Sequence, residues 1–265
     1  MNQLFIRSKL SIAKSEVWSM GFFHTEMCQR IPFCIVSKRH FSASSNVRYG
    51  LPGFEQYKGA HPITRIAPPR PKRVVVAITG ATGIAIGVRV LQMLRDLEIE
   101  THLVLSKWGS ATMKYETDYK PEDVAQLATK TYVSRDVSAP ISLGSFQTDG
   151  MIVVPCSMKT LAAIRTGYTE DLIVRAADVT LKERRKLLLV TRETPLSDIH
   201  LENMLHLSRM GTVIFPPVPA FYTRPRSIDD VVEQSAGRIL DCFGIHVDTF
   251  PRWNGISNKA LSKWE

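Results

Sequence analysis

Arg73-Val74-Val75-Val76-Ala77-Ile78-Thr79-Gly80-Ala81-Thr82-Gly83 is the stretch whose reading decides the fold. Its first part is a continuous β-branched apolar run. That is the pattern of a strand buried on both faces, without the polar alternation of a strand that has a wet side. Its second part is a turn with glycine at Gly80 and Gly83. Val90, Leu91, Leu94 and Leu97 then recur at helical spacing. Buried strand, tight turn and amphipathic helix, in that order, open a βαβ unit.

The alternation continues downstream. Further strands are expected at 101–106, 150–155, 186–191 and 212–215. Helices are expected around 107–116, 121–129, from about Lys159, over Asp171–Arg185, over Ser197–Arg209 and over Ile228–Phe243. Strands alternating with helices predict a parallel sheet covered on both faces and joined by right-handed crossovers. The expected fold class is therefore α/β, a flavodoxin-like or Rossmann doubly wound sheet. It forms a single domain over residues 73–253, followed by a C-terminal tail at 254–265. No internal repeat is visible.

Composition supports a globular body. Of 265 residues, 44% are hydrophobic and 22% are charged, which excludes wholesale disorder, collagen and coiled coil. No apolar run reaches the length of a membrane span, and four cysteines make no disulfide scaffold. The net charge of +9 suggests nucleic acid until it is located: residues 1–72 hold 11 basic and 3 acidic side chains, and the remainder is nearly neutral. Net charge thus gives a nucleic-acid partner no support.

The basic segment has its own reading. Residues 1–48 carry Arg7, Lys9, Lys14, Arg30, Lys38, Arg39 and Arg48 against only Glu16 and Glu26, with eight serines and interspersed apolar residues. This is the composition of a mitochondrial transit peptide. Arg39-His40-Phe41-Ser42-Ala43-Ser44 resembles the Arg-x-Phe-x-x-Ser pattern of matrix-processed presequences, so the expected location is the matrix. Residues 49–72, with Pro52, Pro62, Pro68, Pro69 and Pro71, read as a linker or surface arm.

In a doubly wound sheet, ligands bind outside the carboxyl ends of the strands. After the first strand, Gly80, Ala81 and Thr82 precede a helix N-terminus whose free N–H groups suit an anion. The loop superficially matches nicotinamide dehydrogenases. However, the glycines at 80, 83 and 87 are spaced one residue too long, Ser106 stands where a ribose-binding acid is needed, and no Tyr-x-x-x-Lys pair occurs. A ligand with one phosphate, such as FMN, needs none of these. Ser106 reads either as a ligand contact or as an N-cap, and Glu116 either as a site carboxylate or as a solvated acid.

After the strand at 150–155, Ser157, Met158, Lys159 and Thr160 repeat the anion-binding design, while Cys156 reads as a buried thiol. Arg175 and Lys182, seven residues apart, share one helix face, which is either functional or merely charged. Arg192 and Glu193 form an ion-pairable couple at a strand exit. Pro216-Pro217-Val218-Pro219-Ala220-Phe221-Tyr222 is a rigid, aromatic-tipped loop suited to a planar ligand and an oily substrate. Arg238 alone reads as a surface arginine. No histidine or cysteine spacing suggests a metal site.

Taken together these segments resemble the UbiX/Pad family of flavin prenyltransferases, in its fungal mitochondrial form. The resemblance rests on TGATG, LSK, YETD, LGSFQ, PCSMKT, RAADVTLKERRK, TRETPL, PPVPAFYTRP and PRW, and covers about residues 73–253. It implies attachment of a dimethylallyl group, from dimethylallyl phosphate or the pyrophosphate, to N5 and C6 of reduced FMN without a metal. The product, prenylated FMN, would serve a UbiD-type decarboxylase. It also implies a homo-oligomer, usually a dodecamer, with sites at subunit junctions.

By matched motif, Gly80, Ala81, Thr82, Ser106, Ser157, Met158, Lys159, Thr160 and Arg192 correspond to FMN contacts. Tyr222 and Arg238 correspond to prenyl-phosphate ligands, and Trp253 to a tryptophan closing the site. Glu116, Arg175, Lys182 and Glu193 correspond to the polar cluster around the leaving phosphate. Thr82 departs from the serine common in bacterial members. An FMN-dependent decarboxylase of the same fold and a non-catalytic FMN-binding module remain the alternatives.

Overall fold

The computed structural model describes residues 70–255. The expected transit peptide at 1–48, nearly all of the Pro-rich arm at 49–72 and most of the tail at 254–265 lie outside the described residues.

Six parallel strands form one sheet: β1 (Arg73–Ile78), β2 (Glu100–Leu105), β3 (Lys130–Val133), β4 (Gly150–Cys156), β5 (Lys186–Thr191) and β6 (Val213–Ile214). Their order is β3-β2-β1-β4-β5-β6. Strand order reverses between β1 and β4, so the crevice of this Rossmann arrangement opens beyond the carboxyl ends of those two strands. Seven α-helices are described: α1 (Ile84–Asp96), α2 (Lys107–Glu116), α3 (Pro121–Ala125), α4 (Met158–Thr166), α5 (Leu172–Lys182), α6 (Asp198–Arg209) and α7 (Ile228–Asp241).

The buried runs explain the centre of the sheet. Val74, Val76 and Ile78 enter one apolar layer with α1 and α7, while Val75 and Ala77 enter the opposite layer with α4, α5 and α6. Each valine or isoleucine among them contributes roughly 1.5–3 kcal/mol when fully buried. Arg89 of α1 and Glu233 of α7 tie the two helices of the first layer with an ion pair at 2.5 Å.

Two sequence expectations need correction. The helix expected over 121–129 stops at Ala125, and the edge strand β3 follows at Lys130. Only Tyr132 of that strand is buried, so it lacks the apolar pattern by which the inner strands are recognised. The expected strand at 212–215 shortens to Val213–Ile214 at the other edge.

Beyond α7 the chain turns back along the helix. Val247 and Phe250 are buried against it, and a Cβ on Gly237 would fall 2.1 Å from the Phe250 ring. Glycine at that position is what lets the C-terminal segment lie close. No helix among the described residues is long and apolar enough to cross a membrane.

Candidate functional site

A cavity of about 250 Å³ opens at the switch point. Its floor is the exit of β1, its sides are the starts of α2, α4 and α5, and it is lined by Thr79, Gly80, Ser106, Ser157, Lys159 and Thr160 among others. The sequence builds this floor locally. Ser106 caps α2 by accepting from the Gly109 amide, and Ser157 caps α4 by accepting from the Thr160 amide. The N-cap reading of Ser106 therefore describes the structure, Ser157 caps its helix in the same way, and both capping residues also line the cavity. The Ser157 and Thr160 hydroxyls stand 3.0 Å apart. Several hydroxyls, a lysine and helix N-termini facing one space are chemistry suited to an anion and to hydroxyl-bearing groups.

Thr79 locks the two strand exits together. Its hydroxyl donates to the Pro155 carbonyl at 2.8 Å and accepts from the Ser157 amide at 2.9 Å. Sequence reading passed over Thr79 as the end of an apolar strand. It also passed over Trp108, Ala163, Tyr168, Glu170, Asp171, Ile173 and Val174, which complete the lining. The exposed aromatics Trp108, in the first turn of α2, and Tyr168, in the loop after α4, carried a signal, since large exposed rings call for an explanation. A Cβ on Gly80 would fall 2.4 Å from the Trp108 Cβ, so Gly80 permits α2 to start over the β1 exit.

Other expected site residues lie outside the cavity lining. Ala81 is buried and Thr82 is exposed in the turn before α1. Glu116 Oε2 accepts from the Gly83 and Ile84 amides at 2.9 and 3.0 Å. This corrects the expectation of free amides at that helix start, because a carboxylate of the chain itself occupies two of them. Met158 packs against the second apolar layer. Arg192, exposed at the β5 exit, donates its amide to the Cys156 carbonyl, and Glu193 beside it accepts from the Thr194 amide. Arg192 and Glu193 form no ion pair with each other among the described residues.

Arg175 binds the Ser142 carbonyl and Asp178, and Lys182 binds Glu183 at the far end of α5. Helical rise separates those two cations by roughly 10 Å along the axis. Within one chain neither lines the cavity. A third group gathers around the carboxyl end of α7: the Tyr222 and Trp253 rings meet edge-on at 5.7 Å, and Arg238 bonds to Asp241 at 2.7 Å. Cys156 is fully buried and burial pushes its thiol up, so it supplies no thiolate. Among the described residues, no group of three or more His, Cys, Asp or Glu side chains gathers that could hold a metal ion.

Comparison with known proteins decides the family. The Flavoprotein family model matches residues 67–240. The mitochondrial flavin prenyltransferase PAD1 of Saccharomyces cerevisiae is 73% identical over 210 residues, which cover 78% of this chain and 87% of that protein. The chain belongs to the flavin prenyltransferases. Two crystal structures in this family have a closely similar fold. One, AnUbiX (PadA1) in complex with FMN and dimethylallyl pyrophosphate, is 61% identical with a TM-score of 0.70, covering 71% of this chain and all (100%) of that one. The other is described as a dodecameric FMN-dependent UbiX-like decarboxylase from Escherichia coli O157:H7. It is 56% identical with a TM-score of 0.68, covering 69% of this chain and 100% of that one. Flavin prenyltransferases thus share the parallel sheet seen here.

Proposed function

We propose that this flavin prenyltransferase joins a dimethylallyl group, from dimethylallyl phosphate or pyrophosphate, to N5 and C6 of reduced FMN. It does so in mitochondria, as the name of the yeast relative and the composition of residues 1–48 both suggest. The product, prenylated FMN, passes to a UbiD-type decarboxylase. The observation that carries this reading is the hydroxyl-lined cavity at the switch point, in a chain so similar to one crystallised with FMN and the prenyl pyrophosphate.

FMN fits the residues present. The Ser106, Ser157 and Thr160 hydroxyls and the Lys159 ammonium would hold its phosphate and ribityl oxygens, and the aromatic and aliphatic walls would flank its ring. When bound and reduced, FMN supplies an electron-rich ring as the prenyl acceptor. The chain's own residues handle the donor. Cleavage of the allylic C–O bond leaves negative charge on phosphate, which fixed cations stabilise best in a water-poor site. Arg238, with Tyr222 as hydrogen-bond donor, holds that phosphate, and Trp253 excludes water behind it. Arg175 and Lys182 would add positive charge, and Arg192 would contact the FMN. Glu193 and Glu116 are the carboxylates that hold and return a proton; in Glu116 the oxygen for this is Oε1, since Oε2 serves the α1 amides.

The cavity of one chain is smaller than the roughly 300–1,000 Å³ of complete ligand sites, and Arg175, Lys182, Tyr222 and Trp253 stand away from it. A homo-oligomer with sites at subunit junctions, a dodecamer as in the E. coli O157:H7 relative, accounts for both facts.

The test is an anaerobic incubation of the protein with reduced FMN and dimethylallyl phosphate, followed by mass spectrometry of the extracted flavin. A gain of one five-carbon prenyl unit is expected with the phosphate or, in a second arm, the pyrophosphate. Bound but unmodified FMN in both arms would leave a binding module.

A further inference from the structure

Asp241, the last residue of α7, is the centre of an ion-pair cluster beside Tyr222 and Trp253. Its Oδ2 accepts from Arg238 Nη1 at 2.7 Å and from Arg252 Nη1 at 2.8 Å, and its Oδ1 accepts from Arg252 Nη2 at 3.0 Å. Arg252 also donates to the Val247 carbonyl at 2.8 Å, and its guanidinium lies 4.5 Å over the Phe250 ring. His246 stands 3.8 Å from Asp241 Oδ1 and 3.0 Å from Asp248. The Asp241 side chain is 14% exposed and that of Arg238 is 48% exposed. The fork on Arg252 is two-pronged, the strongest and most directional form of such a pair.

This geometry gives one carboxylate two tasks. It holds Arg238 through a single nitrogen, which fixes the direction of the guanidinium and leaves the rest of the fork to face solvent. It also clips Arg252, the residue before Trp253, so that the Trp253 ring rests on Tyr222 at 5.7 Å. Asp241 and, at longer range, Asp248 balance the two guanidiniums, so what the cluster offers a phosphate is the open part of the Arg238 fork rather than net charge. A surface arginine on a helix end needs none of this support.

We propose that Asp241, acting through Arg238 and Arg252, is the positioning residue of the prenyl-phosphate subsite. It aims Arg238 at the phosphate and anchors the C-terminal segment that brings Trp253 onto Tyr222. The proposal rests on the assignment of Tyr222, Arg238 and Trp253 to the prenyl donor.

The experiment measures donor KM, kcat and FMN affinity for four variants of the full-length protein: Asp241→Asn, Arg252→Lys, their double and Arg238→Ala. Asp241→Asn and Arg252→Lys are each expected to raise donor KM about tenfold, the effect of losing one well-aligned charged contact. FMN affinity stays unchanged, and the double variant falls short of the product of the singles because the two residues act as a unit. Arg252→Lys keeps the charge and loses only the fork, so it answers the question even if Asp241→Asn folds poorly. Donor KM unchanged in Asp241→Asn and Arg252→Lys but raised in Arg238→Ala overturns the positioning role alone. Donor KM unchanged in all variants, Arg238→Ala included, overturns the donor-site assignment itself.

Discussion

Thr79 is where a single hydroxyl joins the fold to the site. It bridges the Pro155 carbonyl and the Ser157 amide, and so ties the β1 exit to the capping residue of α4. In Thr79→Val the shape is kept, but the Ser157 amide loses its partner, a cost of about 1–3 kcal/mol for a buried donor. The expected outcome in FMN titration is weakened binding, with Thr79→Ser restoring it because the hydroxyl returns. Equal loss in both variants would show that the methyl group matters and the bridge does not. Glu116 illustrates the reverse case. Its carboxylate sits on two α1 amides, so it holds a helix start as well as being a candidate for catalysis.

At the scale of elements, α7 and the segment after it act together. Gly237 lets Phe250 lie against the helix, and the chain then reaches Arg252 and Trp253. In Gly237→Ala the added methyl meets the Phe250 ring, and overpacking of this kind costs about 1–3 kcal/mol. The C-terminal segment is the movable partner, so the expected result is a higher donor KM and faster proteolysis after residue 245, with FMN affinity unchanged. Loss of FMN binding would place the collision's effect in the sheet instead. The opposite lesson comes from α5. It starts at the cavity with Asp171 and Val174 and ends at Lys182, far from the mouth, so one helix spans two neighbourhoods.

For the whole molecule, pH reaches stability through the amino-terminal end of the sheet. His102 is buried between Tyr132, at 2.8 Å from Nδ1, and Glu100, at 2.9 Å from Nε2, with Arg73 and Lys130 nearby. Facing a carboxylate, Nε2 carries the proton and Nδ1 accepts from the Tyr132 hydroxyl. Burial holds the His102 pKa below its ordinary value, more than the Glu100 hydrogen bond raises it. Burial of Glu100 works to raise its own pKa, but hydrogen bonds from Arg73 and His102 outweigh this and lower it.

Unfolded histidine takes up its proton near pH 6.5. Below that pH the unfolded chain binds more protons than the folded one, so stability falls as pH falls. Glu100 adds a second loss at lower pH, below about 4.3. The melting temperature is therefore expected to be level above about pH 7 and to drop below about 6.5. In His102→Asn the upper part of that drop should flatten. A wild-type curve level down to about pH 5 would contradict the neutral, buried His102.

The sequence by itself determined the parallel α/β sheet, because inner strands buried on both faces must be continuous apolar runs: Val74–Ile78, Met151–Val154 and Leu187–Val190 announce themselves. It also determined the strand-exit hydroxyls at Ser106, Ser157 and Thr160, since caps and ligand contacts draw on the same short polar residues at the same places. It left β3 hidden, because an edge strand with one buried residue has no pattern to read. Only the tertiary structure decided which of these exits share a cavity. Thr79, Trp108, Tyr168 and Asp171 come from four separate segments and meet through chain crossovers that local spacing does not encode. It alone placed Glu116 on the α1 amides and Asp241 between two arginines, since a carboxylate's partner is set by which elements pack together.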